Sequence, residues 1–129
     1  MILDTSAVVA VLSGEPERAQ FVELMASAAR VCIAAPTLLE LGMVIDGAAN
    51  PVLSRALDSL MQQLDVEVLP FDAAQAKLAR DAFRDFGRGS GHPARLNFGD
   101  CITYAAAKAC GEPLLYKGQD FCHTDIRGV

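Results

Sequence analysis

Met1-Ile2-Leu3-Asp4-Thr5-Ser6-Ala7-Val8-Val9-Ala10-Val11-Leu12 (MILDTSAVVAVL) is the stretch that decides the fold class. Three apolar residues lead to an acid, and an apolar run follows with no turn residue in it. A short strand that is apolar throughout has no face left for water, so Met1–Leu3 reads as buried on both sides. Ser6 to about Leu12 reads as a helix, broken by Ser13-Gly14-Glu15-Pro16. Pro16 suits the first turn of a second helix reaching about Ala29.

The same alternation continues outward from this opening. Val31–Ala34 is a second apolar strand, followed by a helix from Leu38 to about Asp46 and another from Asn50-Pro51 to about Leu64. Val66–Leu69 reads as a third strand ended by Pro70, and Asp72 caps a helix reaching about Phe86. Three glycines and a proline make Gly87–Arg95 irregular. A helix starting at Asn97 or Asp100 ends at Cys110, with Gly111 as its cap and Pro113 as its stop. Leu114–Tyr116 is a fourth strand and Ile126–Val129 a candidate fifth. Short apolar strands separated by helices imply right-handed βαβ units. The expected fold is a three-layer α/β/α sandwich with a mostly parallel sheet of four or five short strands, forming one domain over residues 1–129.

Composition narrows the function classes. Hydrophobic residues make up 52% of the 129, which excludes an intrinsically disordered chain. Eleven basic against sixteen acidic residues leave a net charge of −5, so nucleic acid is repelled unless a local basic surface or a cation bridges to it. Apolar runs such as Ala7–Leu12 are about six residues long, against the roughly 20 that a bilayer requires. Asp4 stands where a signal peptide would carry positive charge. None of Cys32, Cys101, Cys110 and Cys122 forms a C-x-x-C pair, and a cytoplasmic protein with four reduced thiols is expected.

The placement of acids carries the functional reading. Asp4 follows the first strand, Glu40 lies early in the helix after the second, Asp100 opens the helix feeding the fourth, and Asp120 follows that strand. In a parallel sheet, strand ends and helix starts share one edge, the edge where open α/β sheets bind ligands. Each acid also has a plain structural role available. Asp4 is a candidate N-cap, Thr37-x-x-Glu40 and Asn97-x-x-Asp100 have capping-box spacing, and Asp120 and Asp125 suit turns. Together, however, they present a charge conflict. Two unit charges about 4 Å apart cost about 4 kcal/mol at an effective dielectric of about 20. Either some carboxyls stay protonated or a cation fills the pocket, and oxygen-only donors favour Mg²⁺ or Mn²⁺ over zinc.

Secondary features add less. Gly87–Gly91 contains G-x-G-x-G but follows a helix, which makes it a poor dinucleotide loop. Arg88, His92 and Arg95 on that loop suit either phosphate contact or plain solvation, with His92 read as a packing residue. Thr5 and Ser6 suit either positioning of water and metal or simple capping. Phe21, Leu24, Met25, Leu57, Leu60, Met61 and Leu64 form apolar helical stripes assigned mostly to the core, with a share left for an interface.

Three segments, MILDTSAVVAVL, TLLELGMVI and GHPARLNFGDCITYAAAKACGEPLLYKGQDFCHTDI, occur in this order along the whole chain. They resemble the PIN-domain ribonucleases, specifically VapC-type toxins of VapBC toxin–antitoxin pairs. The resemblance implies an Mg²⁺-dependent endoribonuclease, with Mn²⁺ as a substitute ion. It implies that Asp4, Glu40, Asp100 and Asp120 are the catalytic acids. Asp4 and Asp100 would hold metal directly, with Glu40, Asp120 and, as an accessory, Asp125 completing the set. Gln119 stands where such chains often have another polar or acidic residue, a difference that bears on a second metal site. Hydrolysis would leave a 5′-phosphate and a 3′-hydroxyl, with Arg88, Arg95 and Lys117 contacting substrate. The implied partners are RNA, a VapB-type antitoxin and a second copy of the chain, with no membrane.

Two acidic-pocket alternatives fit less well. A response-regulator receiver needs a paired acid after strand one, where Asp4 is followed by Thr5, and a haloacid-dehalogenase-type phosphatase needs D-x-D, where position 6 is Ser. A catalytically inactive PIN fold that only binds a partner is the remaining alternative.

Overall fold

The computed structural model describes all residues, 1–129. The elements are β1 (Ile2–Leu3), α1 (Thr5–Leu12), α2 (Arg18–Ser27), β2 (Cys32–Ala34), α3 (Ala35–Gly47), α4 (Pro51–Gln63), β3 (Glu67–Leu69), α5 (Ala73–Phe86), α6 (Phe98–Cys110) and β4 (Leu114–Leu115). The sheet has four strands in the order β3-β2-β1-β4, and every pairing is parallel. The segment Ile126–Val129 does not form a fifth strand. It makes one parallel bridge, between Gly128 and Leu114, because its backbone bonds reach only Leu114, which donates to Arg127 C=O and accepts from the Val129 N–H.

Side chains alternate across the sheet and so build two cores. Leu3, Ile33 and Leu115 face the layer of α1, α2 and α4, where Val8, Val11, Phe21, Met25 and Leu57 are buried. Ile2, Cys32 and Leu114 face the opposite layer, where Leu96, Ile102, Ala106 and Phe121 are buried. Leu24, Leu60, Met61 and Leu64 of the helical stripes are only partly buried against the first core. Helix α6 lies against the second face with Cys101 to Ala107 buried, which its run of small side chains permits. No helix is long and apolar enough to cross a membrane.

Three helix starts fix the geometry of the carboxyl edge. Asp4 is the N-cap of α1, its Oδ2 accepting from the Ser6 N–H at 2.9 Å. Helix α3 follows β2 directly, with no side chain capping it and Pro36 in its first turn. The capping-box expectation for Thr37 and Glu40 therefore fails. Thr37 is buried, its Oγ1 3.3 Å from Oγ1 of Thr103 on α6. Asn97 caps α6 in a reciprocal box: Asn97 Oδ1 accepts from the Asp100 N–H at 2.9 Å, and Asp100 Oδ2 accepts from the Asn97 N–H at 2.8 Å.

Candidate active site

A cavity of about 270 Å³ opens at the carboxyl edge, lined by Asp4, Thr5, Ser6, Glu40, Asn97, Gly99, Asp100, Lys117 and Asp120 among others. The acids come from four places far apart in sequence: the end of β1, the second turn of α3, the first turn of α6 and the turn after β4. A larger depression of about 560 Å³ lies beside the starts of β2 and β3, lined by Arg30, Asp65 and Glu67 among others. Arg30 and Glu67 are ion-paired there at 2.8 Å, and no cluster of acids accompanies them.

The four acids differ in how they are held. Asp4 is 7% exposed, and its Oδ2 accepts from both the Ser6 N–H and the Ser6 hydroxyl, the latter at 2.5 Å. The same Ser6 Oγ accepts from the Lys117 N–H at 2.9 Å, so the chain after β4 is tied through Ser6 to Asp4. Glu40 Oε2 accepts from the Thr5 hydroxyl at 3.2 Å. Asp100 is half-buried and bonded to the start of its own helix. Asp120 is exposed on the turn that follows β4. Burial pushes the Asp100 carboxyl up to about 6, the Asn97 N–H opposes this, and the negative charges of Asp4, Asp120 and Glu40 raise it further. The charge conflict expected from the sequence thus adds to burial at Asp100.

The donor set fits a hard divalent cation in its chemistry. All four groups are carboxylates, and the backbone bonds of Asp4 and Asp100 engage Oδ2, which leaves each Oδ1 without a protein donor. No three acidic, histidine or cysteine side chains close on one point as a preassembled shell. Mg²⁺ is commonly held by one or two carboxylates and several waters, so a looser set of acids around a wet cavity is the arrangement it uses.

The other expected residues fall differently. Asp125 is not in the cavity. Its carboxylate accepts from the Tyr104 hydroxyl at 2.6 Å and from Lys108 Nζ at 2.7 Å, and these two bonds hold its pKa below the usual value. It clasps the C-terminal segment to α6, which corrects its assignment as an accessory metal residue. Lys117 lines the cavity, but Nζ is ion-paired with Glu15 and, at 3.0 Å, with Glu17. Both partners hold the ammonium protonated, and they neutralise the charge that substrate contact requires. Arg88 and Arg95 are exposed on the loop before α6 and do not line the cavity. His92 packs edge-on against Phe86, and its Nδ1 accepts from the Ala94 N–H. The sequence offered no signal for the Glu15–Lys117–Glu17 cluster, in which Lys117 lies about a hundred positions from the two acids. Asn97 was visible only as a cap, although it also orients Asp100.

Four acids from four segments thus meet at the carboxyl edge of a parallel sheet. The chain belongs to the PIN-domain family, in its VapC branch: the PIN domain profile matches residues 1–127. Ribonuclease VapC28 of Mycobacterium tuberculosis is 50% identical over 127 residues, covering 98% of this chain and 96% of that protein. Among solved structures, Mycobacterium tuberculosis VapC20, described as a sarcin–ricin loop cleaving toxin, superposes with a TM-score of 0.74 at 18% identity, covering 99% of this chain and 97% of the other. A toxin–antitoxin complex from Klebsiella pneumoniae gives a TM-score of 0.72 at 18% identity, covering 96% and 92%. At such identities the structural matches speak for the fold.

Proposed function

We propose that this chain is a single-domain endoribonuclease, the toxin of a toxin–antitoxin pair, and that it hydrolyses RNA phosphodiesters with a divalent cation, Mg²⁺ or Mn²⁺. The observation that carries the reading is the crowding of Asp4, Glu40 and Asp120 around the half-buried Asp100 in one cavity. Support for the ribonuclease activity comes from relatives such as VapC28, which covers nearly the same length.

Asp4 and Asp100 are the residues that would hold the ion, through the oxygens their caps leave over. Glu40 and Asp120 stand at the rim, where their carboxylates orient an attacking water or accept its proton. When bound, the ion neutralises the approaching phosphate and makes a coordinated water more acidic. The capping bonds from Ser6 and Asn97 hold Asp4 and Asp100 in place before substrate arrives, which removes reorganisation from the reaction. In-line attack by water on phosphorus, with departure of the 3′ oxygen, leaves a 5′-phosphate and a 3′-hydroxyl. Substrate contacts fall to Arg88 and Arg95 on the loop before α6, since Lys117 is already paired.

The partners we infer are a VapB-type antitoxin and a second copy of the chain, in a protein of the cytoplasm. An antitoxin is supported by the complexes among the structural neighbours. An interface is supported by Leu39, Met43, Val44 and Phe98, large apolar residues exposed along one flank of the cavity.

The test is direct. Incubating the purified chain with total RNA and Mg²⁺ is expected to create new 5′-phosphate ends. Those ends are expected to vanish with EDTA and in Asp4→Asn. Equal cleavage by wild type and Asp4→Asn would refute the assignment, and an inert wild type that still binds its antitoxin would favour the partner-binding alternative.

A further inference from the structure

Gly99 has no backbone reason to be glycine. It lies in the first turn of α6, and it is absent from the residues with positive φ. Alanine is the better helix former at such a position. What distinguishes it is its neighbour. A Cβ placed at residue 99 would lie 2.7 Å from Glu40 Oε2, 3.0 Å from Oε1 and 3.2 Å from Cδ, whereas Gly42 and Gly47 in α3 have nothing within 4 Å. The Glu40 carboxylate therefore rests on the bare Cα of Gly99, with the Thr5 hydroxyl donating to the same Oε2. The helices carrying the two residues are joined by the buried contact between the Thr37 and Thr103 hydroxyls, one turn from Glu40 and from Asp100 respectively.

We propose that Gly99 is a positioning residue for Glu40: the missing side chain at 99 is the seat that lets the Glu40 carboxylate enter the cavity beside Asp100. The catalytic consequence rests on the nuclease reading above; the geometric one does not. Glu40 is exposed and its side chain is flexible, so a methyl group at 99 would displace the carboxylate rather than the helix.

The experiment combines a metal-free crystal structure of Gly99→Ala with a cleavage cycle of wild type, Gly99→Ala, Glu40→Asp and the double variant. In the crystal the Glu40 carboxylate is expected to move by about 1 Å or more, enough for a loss of about 10²-fold in cleavage rate. The melting temperature is expected to stay within about 3 °C of wild type. An Asp at 40 is one methylene shorter and does not reach the seat, so Gly99→Ala is expected to cause no further loss in the Glu40→Asp background. An unmoved carboxylate, a Gly99→Ala enzyme as active as wild type, an equal loss in both backgrounds, or a large fall in melting temperature would each overturn the proposal. An inert wild type would refute the nuclease reading alone, while the crystal structure would still decide whether residue 99 seats Glu40.

Discussion

Asp100 carries two duties that pull in opposite directions. Its Oδ2 stabilises the start of α6 by accepting the Asn97 N–H, and its charge faces three other acids across a half-buried cavity. Burial, with the three neighbouring charges added to it, outweighs the Asn97 N–H, and the carboxyl is pushed up to about 6. The unfolded chain titrates this group near its ordinary value of 3.8, so the folded protein binds the extra proton between those limits. By linkage, the stability contributed by that proton is fully present below the ordinary value and is lost as pH rises through about 6. Asp100→Asn keeps an acceptor for the Asn97 N–H and removes the charge. The metal-free variant is expected to melt higher than wild type at pH 7 to 8 and to lose the decline between pH 4 and 7, as read by thermal denaturation at each pH. It is also expected to be inactive. A variant that melts lower than wild type at pH 8 would show that capping, not charge crowding, dominates at this residue.

At the scale of elements, the site depends on where helices begin. The ends of β1 and β2 run directly into α1 and α3, and α6 begins at a capping box, so three helix N-termini meet at one edge. Their dipoles favour negative charge there, which offsets part of the repulsion among the acids. Asn97→Ala removes the acceptor for the Asp100 N–H and is expected to cost about 1 kcal/mol. That corresponds to a fall of about 3 °C in melting temperature for a chain of this size. The Asp100 carboxylate keeps its bond from the backbone N–H of residue 97, but the start of α6 that carries it loses the other half of the box, so cleavage is expected to fall as well. Assays at a temperature where both proteins are fully folded separate the two effects. A loss of stability with unchanged activity would mean that Asn97 is a cap alone.

For the whole molecule, the acidic cavity is a cost that the metal-free fold carries, and one that a bound cation would relieve. A ligand that binds only the folded chain stabilises it by mass action, about 2.7 kcal/mol at a hundred times its dissociation constant. Millimolar Mg²⁺ or Mn²⁺ is therefore expected to raise the melting temperature of wild type, EDTA to reverse the rise, and Asp4→Asn to abolish it. No shift at saturating metal would remove the cation from the mechanism. The net charge of −5 gives the same requirement from another direction, since RNA approaches an acidic surface only where charge is screened or bridged. Arg88 and Arg95 are exposed on the loop before α6, whereas Lys117 is spent on Glu15 and Glu17.

Periodicity and punctuation in the chain determined the alternation of strands and helices, because apolar runs, caps and breakers act locally. That alternation dictated the parallel sheet. The sheet in turn placed Asp4, Glu40, Asp100 and Asp120 on one edge without reference to any side-chain contact. The missing fifth strand, the diversion of Asp125 to Tyr104 and Lys108, and the pairing of Lys117 with Glu15 and Glu17 were decided only by tertiary structure. So were the double use of Ser6 and the seating of Glu40 on Gly99. The physical reason is range: a cap or a turn is satisfied within a few residues, whereas an ion pair or a close approach depends on which distant segments the packed core brings together.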